Sequence, residues 1–225
     1  MYNNILSMNT SFTEENYLKT IFHLDTKQNE TVSTNALSEA LKTKAASVTD
    51  MLKKLADKAF INYEKYQGVT LTDKGQQKAL EVIRKHRLWE VFLVDKLDFK
   101  WDEVHDLAEE LEHINSEALI DRLDAFLNFP ERDPHGDPIP DKNGVLKAQE
   151  LIAIAKMDIG QQGKISGVSE HSKDFLQHLE KMELRLGSDI IIIDKATFDG
   201  SVTISIDAKT QTISREIAKN LLVSL

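Results

Sequence analysis

Residues 34–75 read TNALSEALKTKAASVTDMLKKLADKAFINYEKYQGVTLTDKG, and this stretch decides the fold of the amino-terminal part of the chain. Two runs in it carry apolar residues at helical spacing, and two short strand-like runs follow around Gly68. The helices are expected at 34–41 and 45–58, and the strands at 61–64 and 69–72. Two helices at a short turn, followed by a β-hairpin, are the element order of a winged helix-turn-helix.

The chain on either side of this stretch is helical up to about residue 130 and β-rich after it. A helix opens at Ser11 with Glu14 three residues on, the spacing of a capping box. All four prolines lie between 130 and 140, and seven of the nine glycines lie at or after position 136, so an extended connector divides the chain. Further helices are expected at 73–97, 101–115 and 116–127, and further strands at 163–168, 189–194 and 202–206.

These elements predict a mainly α protein with a small β part. We expect a winged helix-turn-helix domain at 1–75, a helical domain at 76–147 and a small β-barrel at 148–225. The helices of the middle domain are so apolar that they suit a dimer interface, which predicts a homodimer.

Composition excludes several classes of protein. The chain has 225 residues, a formal net charge of −9 and no cysteine, which excludes a disulfide scaffold, a cysteine-based zinc finger and a thiol nucleophile. No run of about 18 apolar residues and no signal peptide is present, so we expect a cytoplasmic protein without a membrane partner.

Charge is strongly segregated along the chain. Residues 42–87 contain eleven Lys or Arg and five acids, a net charge of +6, whereas residues 88–141 contain sixteen acids and four Lys or Arg, a net charge of −12. The first segment suits a polyanion and the second suits a cation.

The start of the third helix fits DNA. Small and hydroxylated residues there allow close approach to the major groove, and lysines on the helix and hairpin add phosphate contacts. A capped surface helix with solvated lysines is the alternative, but the adjoining hairpin and the local positive charge favour DNA. The candidate DNA-binding residues are Lys44, Ala46, Ser47, Thr49, Asp50, Lys53, Lys65 and Tyr66.

The acidic segment groups carboxylates and imidazoles at helical spacing. His86 and Glu90 are four residues apart, and His105, Glu109, Glu112 and His113 share one helix face. A divalent cation removes the repulsion between grouped carboxylates, and oxygen with imidazole suits Mn(II), Fe(II), Co(II) or Zn(II). The alternative is an acidic helix that is exposed to solvent and binds no metal. We assign to the solvent side of this segment Asp102, Glu103, Asp106 and Glu110. No partner is evident in the sequence for His23, His135 and His178.

Several segments together resemble the iron- and manganese-dependent repressors, the group of the diphtheria toxin repressor and the manganese transport regulators. The segments are TEENYLKTIFHL (13–24), ASVTDMLKKL (46–55), INYEKYQGVTLTDKG (61–75), RKHRLWEVFL (84–93), VHDLAEELEH (104–113) and GDPIP (136–140). The resemblance spans essentially the whole chain and implies that its last part is the SH3-like domain of the longer members.

The resemblance implies two metal sites. The primary site would consist of Asn16, Glu109, Glu112 and His113. The ancillary site would consist of His86, Glu90 and His105, completed by Glu170 or His171. The family more often has Asp or Met at the position of Asn16, and Lys19 stands where short manganese-type members have a glutamate ligand.

A glutamate at position 109, where iron-type members have cysteine, favours Mn(II), with Fe(II) as the alternative and Zn, Co or Ni as substitutes in vitro. The implied function is a metal-activated homodimeric repressor of metal-uptake genes that binds an operator in double-stranded DNA and is not an enzyme. Two alternatives remain at this point: a winged-helix regulator of another ligand, and a metal-dependent hydrolase, which the absence of an open-site motif disfavours.

Overall fold

The computed structural model describes residues 10–28, 31–64, 67–147, 150–207 and 209–225. Two compact units are present: residues up to 86 with 112–115 and 140–145, and residues 87–111, 116–139 and 146–225. The helices are α1 (Phe12–Gln28), α2 (Thr34–Ala40), α3 (Ala45–Asp57), α4 (Asp73–Leu97), α5 (His105–Leu111), α6 (Glu117–Phe126), α7 (Lys173–Lys181) and α8 (Arg215–Asn220). The strands are β1 (Ile61–Glu64), β2 (Gly68–Leu71), β3 (Ile152–Ala153), β4 (Gln162–Val168), β5 (Asp189–Lys195), β6 (Val202–Ile206), β7 (Lys209–Ile213) and β8 (Leu221–Ser224).

The first unit contains the predicted winged helix-turn-helix. Strands β1 and β2 pair antiparallel with Ile61 opposite Leu71, and Val32 adds a bridge to Val69 at the other edge of β2. Helices α1, α2 and α3 pack over this small sheet on one apolar core. The buried core side chains are Tyr17, Leu18, Ile21, Val32, Leu37, Val48, Leu52, Leu55, Phe60, Ile61, Val69 and Ala79.

A glycine fixes the junction between the wing and α4. A Cβ on Gly75 would lie 1.9 Å from the Phe60 carbonyl oxygen, so only glycine allows the first turn of α4 to approach that backbone. Thr72 supports the same turn, because its hydroxyl donates to the Phe60 carbonyl at 3.0 Å and accepts from the Gly75 N–H at 3.1 Å. Helix α4 then spans 73–97, as its periodicity predicts.

The second unit contains a helical part and a sheet part. In the helical part Leu88 and Val91 of α4 pack with Ile120 and Leu123 of α6. The helix expected at 101–115 is shorter than predicted, since α5 covers only His105–Leu111. Residues 101–104 form turns instead, and the Lys100 N–H donates to the Glu103 carboxylate at 3.0 Å, which satisfies a backbone group outside the helix.

The sheet part corrects the predicted β-barrel, because the sheet is open. Its strand order is β3-β8-β4-β5-β6-β7, every neighbouring pair is antiparallel, and β3 and β7 are the two edges in the part of the chain that the structure describes. Side chains of β6 alternate between buried and half-buried, with Val202, Ile204 and Ile206 facing the core. The sequence analysis does not predict four elements of this part, because their hydrophobic periodicity is weak: β3, β7, β8 and α8.

Within the described residues, no helix is both long enough and apolar enough to cross a lipid bilayer.

Candidate metal centres and nucleic-acid interface

Helix α1 brings polar groups into the interior of the first unit. Its start is the predicted capping box, in which the Glu14 N–H donates to Ser11 Oγ at 3.3 Å and the Ser11 N–H donates to the Glu14 carboxylate at 2.8 Å. Glu14 and Glu15 are fully buried. The Asn16 Oδ1 atom is also buried, and it has no hydrogen-bond partner among the described residues. A buried amide oxygen without a donor is available as a ligand.

Glu112 is fully buried in the same unit. Lys19 Nζ donates to both of its oxygens, at 2.7 and 2.8 Å, and its Oε2 lies 2.6 Å from His86 Nδ1. Burial alone raises the pKa of this carboxyl, but the hydrogen bonds and charges of His86 and Lys19 outweigh burial and hold the pKa below its usual value. Glu112 is therefore an ionised, buried carboxylate.

His113 is oriented by α1. Its Nδ1 lies 2.7 Å from Glu15 Oε2, and its ring stacks on Phe12 with centroids 4.5 Å apart. A carboxylate on one imidazole nitrogen leaves the other nitrogen available to a metal. That second nitrogen, Nε2, lies 3.9 Å from Glu112 Oε1. Two donors bound to one transition-metal ion at about 2.0–2.2 Å each lie at most ~4.4 Å apart, so this pair fits a shared ion.

Lysines surround the buried carboxylates of the first unit. Lys78 Nζ lies 3.3 Å from Glu15 Oε1. Lys85 is 3% exposed, and its Nζ has no hydrogen-bond partner in the described part of the chain. Burial lowers the pKa of Lys85, against the opposing charges of Glu15 and Glu81. The buried carboxylates of this unit are Glu14, Glu15 and Glu112, and ammonium groups compensate them as well as histidines. Because α5 ends at Leu111, Glu112 and His113 do not lie on one helix face with His105 and Glu109 as the sequence predicted.

A second cluster lies in the second unit. Glu90, Asp133 and His135 are all buried, and each offers one ligand atom within 4.8 Å of the others. His135 Nε2 donates to the Trp101 carbonyl at 2.8 Å, which leaves Nδ1 facing Glu90 Oε2 at 3.6 Å. Two carboxylates and an imidazole suit Mn(II), Fe(II) or Zn(II).

The pKa values in this cluster reflect burial and like charge. Burial and the neighbouring carboxylates of Glu90 and Asp137 raise the pKa of Asp133 to about 7. Burial lowers the pKa of His135, but Glu90 more than offsets it and raises the pKa to about 9. A divalent ion relieves such repulsion by replacing the protons.

The cluster is framed by an arginine and a third histidine. Arg87 lies 3.4 Å from Asp133 through Nε and 3.1 Å from Asp137 through Nη2. The His171 ring stacks on His135 with centroids 5.0 Å apart, and its Nε2 lies 3.9 Å from Asp137. His171, one of the two candidates from the SH3-like domain, is therefore beside this cluster.

The remaining candidate ligands of the second unit lie in more exposed positions. His105 is about half exposed, with Nδ1 3.7 Å from Glu90 Oε1 and Nε2 3.6 Å from Glu109 Oε1. Glu109 is 46% exposed. Glu170 is exposed and accepts from the Ser172 N–H at 2.8 Å, where it supports the start of α7.

The sequence interpretation missed two residues of the second cluster and placed one acid wrongly. Asp133 was not a candidate, and His135 was expected to have no partner. Both residues lie in the proline-rich connector, where no helical periodicity shows which side chains share a face. The signal that the sequence offers there is an aspartate and a histidine two positions apart. Asp102 was assigned to solvent, which is wrong: it is buried and accepts from Gln177 Nε2 at 2.8 Å.

The candidate DNA-binding residues lie at the start of α3. Lys44 is the N-cap, and Ala46, Ser47, Asp50 and Lys53 are exposed, whereas Val48 on the opposite face is in the core. Thr49 is half-buried and its hydroxyl donates to the Ala45 carbonyl at 2.9 Å. Lys65 and Tyr66 lie outside the described residues. The exposed face of α3 has no bulky apolar side chain, so a groove floor can approach it closely.

Three family models match consecutive parts of the chain. The model described as iron dependent repressor, N-terminal DNA binding domain, matches residues 9–69. The model described as iron dependent repressor, metal binding and dimerisation domain, matches residues 72–141. A FeoA domain model matches residues 152–225.

Individual proteins and solved structures are similar to part or nearly all of this chain. A solved structure of a manganese-dependent transcriptional repressor in complex with manganese superposes with a TM-score of 0.85 at 34% identity, covering 93% of this chain and 98% of that one. An uncharacterized HTH-type transcriptional regulator of Methanocaldococcus jannaschii is 35% identical over 113 residues, 50% of this chain and 90% of that protein. A probable metal transport system membrane protein of Chlamydia trachomatis is 43% identical over 86 residues, 38% of this chain but only 19% of that protein.

Proposed function

The chain belongs to the iron-dependent repressor family, and from this premise we propose that it is a metal-dependent, DNA-binding transcriptional repressor that acts on metal-uptake genes as a homodimer. It is a regulator and not an enzyme, because the family consists of transcriptional repressors. Its place of action is the cytoplasm, where an operator in double-stranded DNA is accessible.

The observation that carries this proposal is the pairing of His113 with Glu112 in the first unit. His113 is held through Nδ1 by Glu15, and its Nε2 lies 3.9 Å from Glu112 Oε1. The buried Asn16 oxygen, which has no hydrogen-bond partner among the described residues, is proposed as a further ligand from α1. The proposed primary ligands are Asn16, Glu109, Glu112 and His113.

A divalent ion at the primary site would supply positive charge to the carboxylates that hold it. Asn16 belongs to α1, and α1 packs on the same core as the recognition helix α3. Asn16, Glu112 and His113 would hold the ion, which would add to the contacts that Lys19 and Glu15 of α1 already make with Glu112 and His113. The metal can shift the equilibrium between a DNA-binding form and a non-binding form of the protein only if it binds the DNA-binding form more tightly, and only by that difference in affinity.

A second metal centre is proposed in the second unit, with Glu90, Asp133 and His135 as ligands. The burial of all three residues supports this set, whereas a 4.8 Å spacing of ligand atoms is met by this set and by His86, Glu90 and His105 alike. The ancillary set expected from the sequence, His86, Glu90 and His105, is the competing proposal. Two observations favour the buried set: His86 Nδ1 already contacts Glu112, and His105 is half exposed.

The two ligand sets are distinguished by one titration series. Mn(II) binding is followed by electron paramagnetic resonance in the unmodified chain and in Asp133→Asn and His105→Ala variants. We expect Asp133→Asn to lose one class of bound Mn(II) and His105→Ala to retain it. The reverse pattern would support the set that contains His86 and His105.

Operator binding is proposed for the exposed start of α3, with two copies of this helix reading two half-sites. The metal-binding and dimerisation match covers 72–141. In that region the second unit exposes large apolar side chains that a partner copy would bury. They are Leu97, Phe99, Leu119 and Phe126, with Phe129 at the following turn.

The regulated genes are proposed from the chlamydial relative. That protein is named as part of a metal transport system, and it carries a segment similar to this chain. Mn(II) is the favoured metal and Fe(II) the alternative, since the candidate ligands are oxygen and nitrogen only. Zn, Co or Ni would substitute in vitro.

The test of the function starts from the host's own genomic DNA. Fragments that bind the chain in the presence of Mn(II) are selected and sequenced, and their affinity is measured by fluorescence anisotropy with Mn(II) and with EDTA. We expect enrichment of fragments upstream of metal-transport genes, loss of binding in EDTA and recovery on adding Mn(II). Equal affinity with and without chelator would favour a regulator that responds to another ligand.

A further inference from the structure

Both oxygens of the Glu112 carboxylate are hydrogen-bonded to a cationic side chain of the same protein. Lys19 Nζ contacts both carboxylate oxygens, at 2.7 and 2.8 Å, and the side chains of Lys19 and Glu112 are 11% and 0% exposed. The two residues are 93 positions apart in sequence, so the pair exists only because α1 packs beside residue 112. An ammonium group that contacts both oxygens occupies the space from which a carboxylate coordinates a metal ion.

The same region holds two further lysines close to buried acids. Lys78 Nζ lies 3.3 Å from Glu15 Oε1, and the buried Lys85 Nζ lies 3.7 Å from Glu81 Oε1. These ammonium groups therefore reduce the repulsion between the carboxylates of Glu15, Glu81 and Glu112 without any metal. Unlike the contacts of Lys78 and Lys85 named above, the hydrogen bonds of Lys19 are to a proposed metal ligand.

We infer that Lys19 is an internal counter-cation that competes with the metal for Glu112 and thereby sets the metal concentration at which this repressor responds. Lys19 contacts both oxygens of the Glu112 carboxylate and His86 contacts one of them, so Oε1 becomes free to ligate only when Lys19 leaves, and Oε2 only when His86 leaves as well. A charge-assisted hydrogen bond of this kind contributes about 1.5–3 kcal/mol, which corresponds to roughly 10- to 150-fold in affinity. The inference rests on the proposed function, because it requires Glu112 to be a metal ligand.

Lys58 offers a matched control. Its Nζ lies 2.7 Å from Oε1 of Glu14. Glu14 is fully buried, as Glu112 is, and it lies on α1, the helix that carries Lys19. Glu14 is not a proposed metal ligand. Lys19→Gln and Lys58→Gln thus remove the same type of ion pair from the same unit, and only the first one frees a proposed ligand.

The experiment is an Mn(II) titration of the unmodified chain, Lys19→Gln, Lys58→Gln and His113→Ala by isothermal titration calorimetry. The primary class of sites is defined as the class that His113→Ala abolishes. We expect Lys19→Gln to bind Mn(II) at this class at least about 10-fold more tightly than the unmodified chain, and Lys58→Gln to leave it unchanged within about 2-fold. Equal or weaker binding in Lys19→Gln would overturn the inference.

A second measurement on the unmodified chain covers the case in which Lys19→Gln does not fold. Acetylation of each lysine is followed by mass spectrometry with and without saturating Mn(II). We expect the reactivity of Lys19 to rise several-fold with Mn(II) while that of Lys58 stays constant. An unchanged or reduced reactivity of Lys19 contradicts competition.

These outcomes are distinguishable from a failure of the proposed function. If the primary site is assigned wrongly, His113→Ala binds as much Mn(II) as the unmodified chain. If only the inference on Lys19 is wrong, His113→Ala loses one class of sites and Lys19→Gln behaves like the unmodified chain.

Discussion

Replacing Gly136 by alanine tests how the connector is held against the sheet of the second unit. Gly136 follows His135, whose carbonyl accepts from the Val168 N–H of β4 at 3.0 Å. Its φ is +90°, and a Cβ there would lie 2.1 Å from the Ser166 carbonyl oxygen and 2.5 Å from Gly167 Cα. The missing side chain therefore permits the close approach that places His135 beside His171.

The cost of this substitution has two separate sources. A left-handed backbone costs an L-residue about 1–2 kcal/mol relative to glycine. Forcing one carbon into occupied space costs about 1–3 kcal/mol more, here against backbone atoms that cannot rotate away. We expect Gly136→Ala to lower the free energy of unfolding by about 2–5 kcal/mol.

Gly160 separates the two sources. Its φ is +86°, but a Cβ on it would meet nothing within 4 Å. Gly160→Ala should therefore show the backbone cost alone, about 1–2 kcal/mol. Urea denaturation followed by circular dichroism measures the stability of both variants. Mn(II) binding at the second metal centre proposed above should weaken only in Gly136→Ala. Equal destabilisation by the two substitutions would refute the steric argument.

Three further predictions concern stability, pH and DNA. The pKa of His135 is raised to about 9, so the stabilising contribution of its protonated ring is present below pH 6.5 and lost as the pH rises through 9. In metal-free protein, the free energy of unfolding measured with urea should therefore fall between pH 6.5 and 9, and His135→Gln should reduce this fall. A free energy of unfolding that rises over this range would contradict the prediction. Leu52 is fully buried, so Leu52→Ala should lower the free energy of unfolding by about 2–5 kcal/mol, while Ala46→Ser on the exposed face should change it by less than about 0.5 kcal/mol. Lys53→Gln should weaken binding to Mn(II)-selected DNA and reduce the slope of log affinity against log salt by about one per recognition helix in anisotropy titrations; an unchanged slope would remove Lys53 from the phosphate contacts.

Much of the winged helix-turn-helix could be predicted because its signals are local. The capping box at Ser11 and Glu14 forms as its spacing predicts, and the periodicity of 73–97 matches α4. The helix expected at 101–115 failed at both ends, since turns before His105 and after Leu111 interrupt it. Apolar spacing continues through these turns, so periodicity alone could not find them.

The amino-acid sequence alone was enough to predict the order of helices and strands between residues 10 and 97 and the exposed face of α3. Such features depend on neighbours within about eight positions, where helix and strand periods act. Only the tertiary structure decided that the last sheet stays open, that Asp133 and His135 meet Glu90, and that Lys19 neutralises Glu112. Those outcomes depend on chain segments far apart in sequence, whose approach is selected by burial of apolar surface and by the need to pair every buried charge.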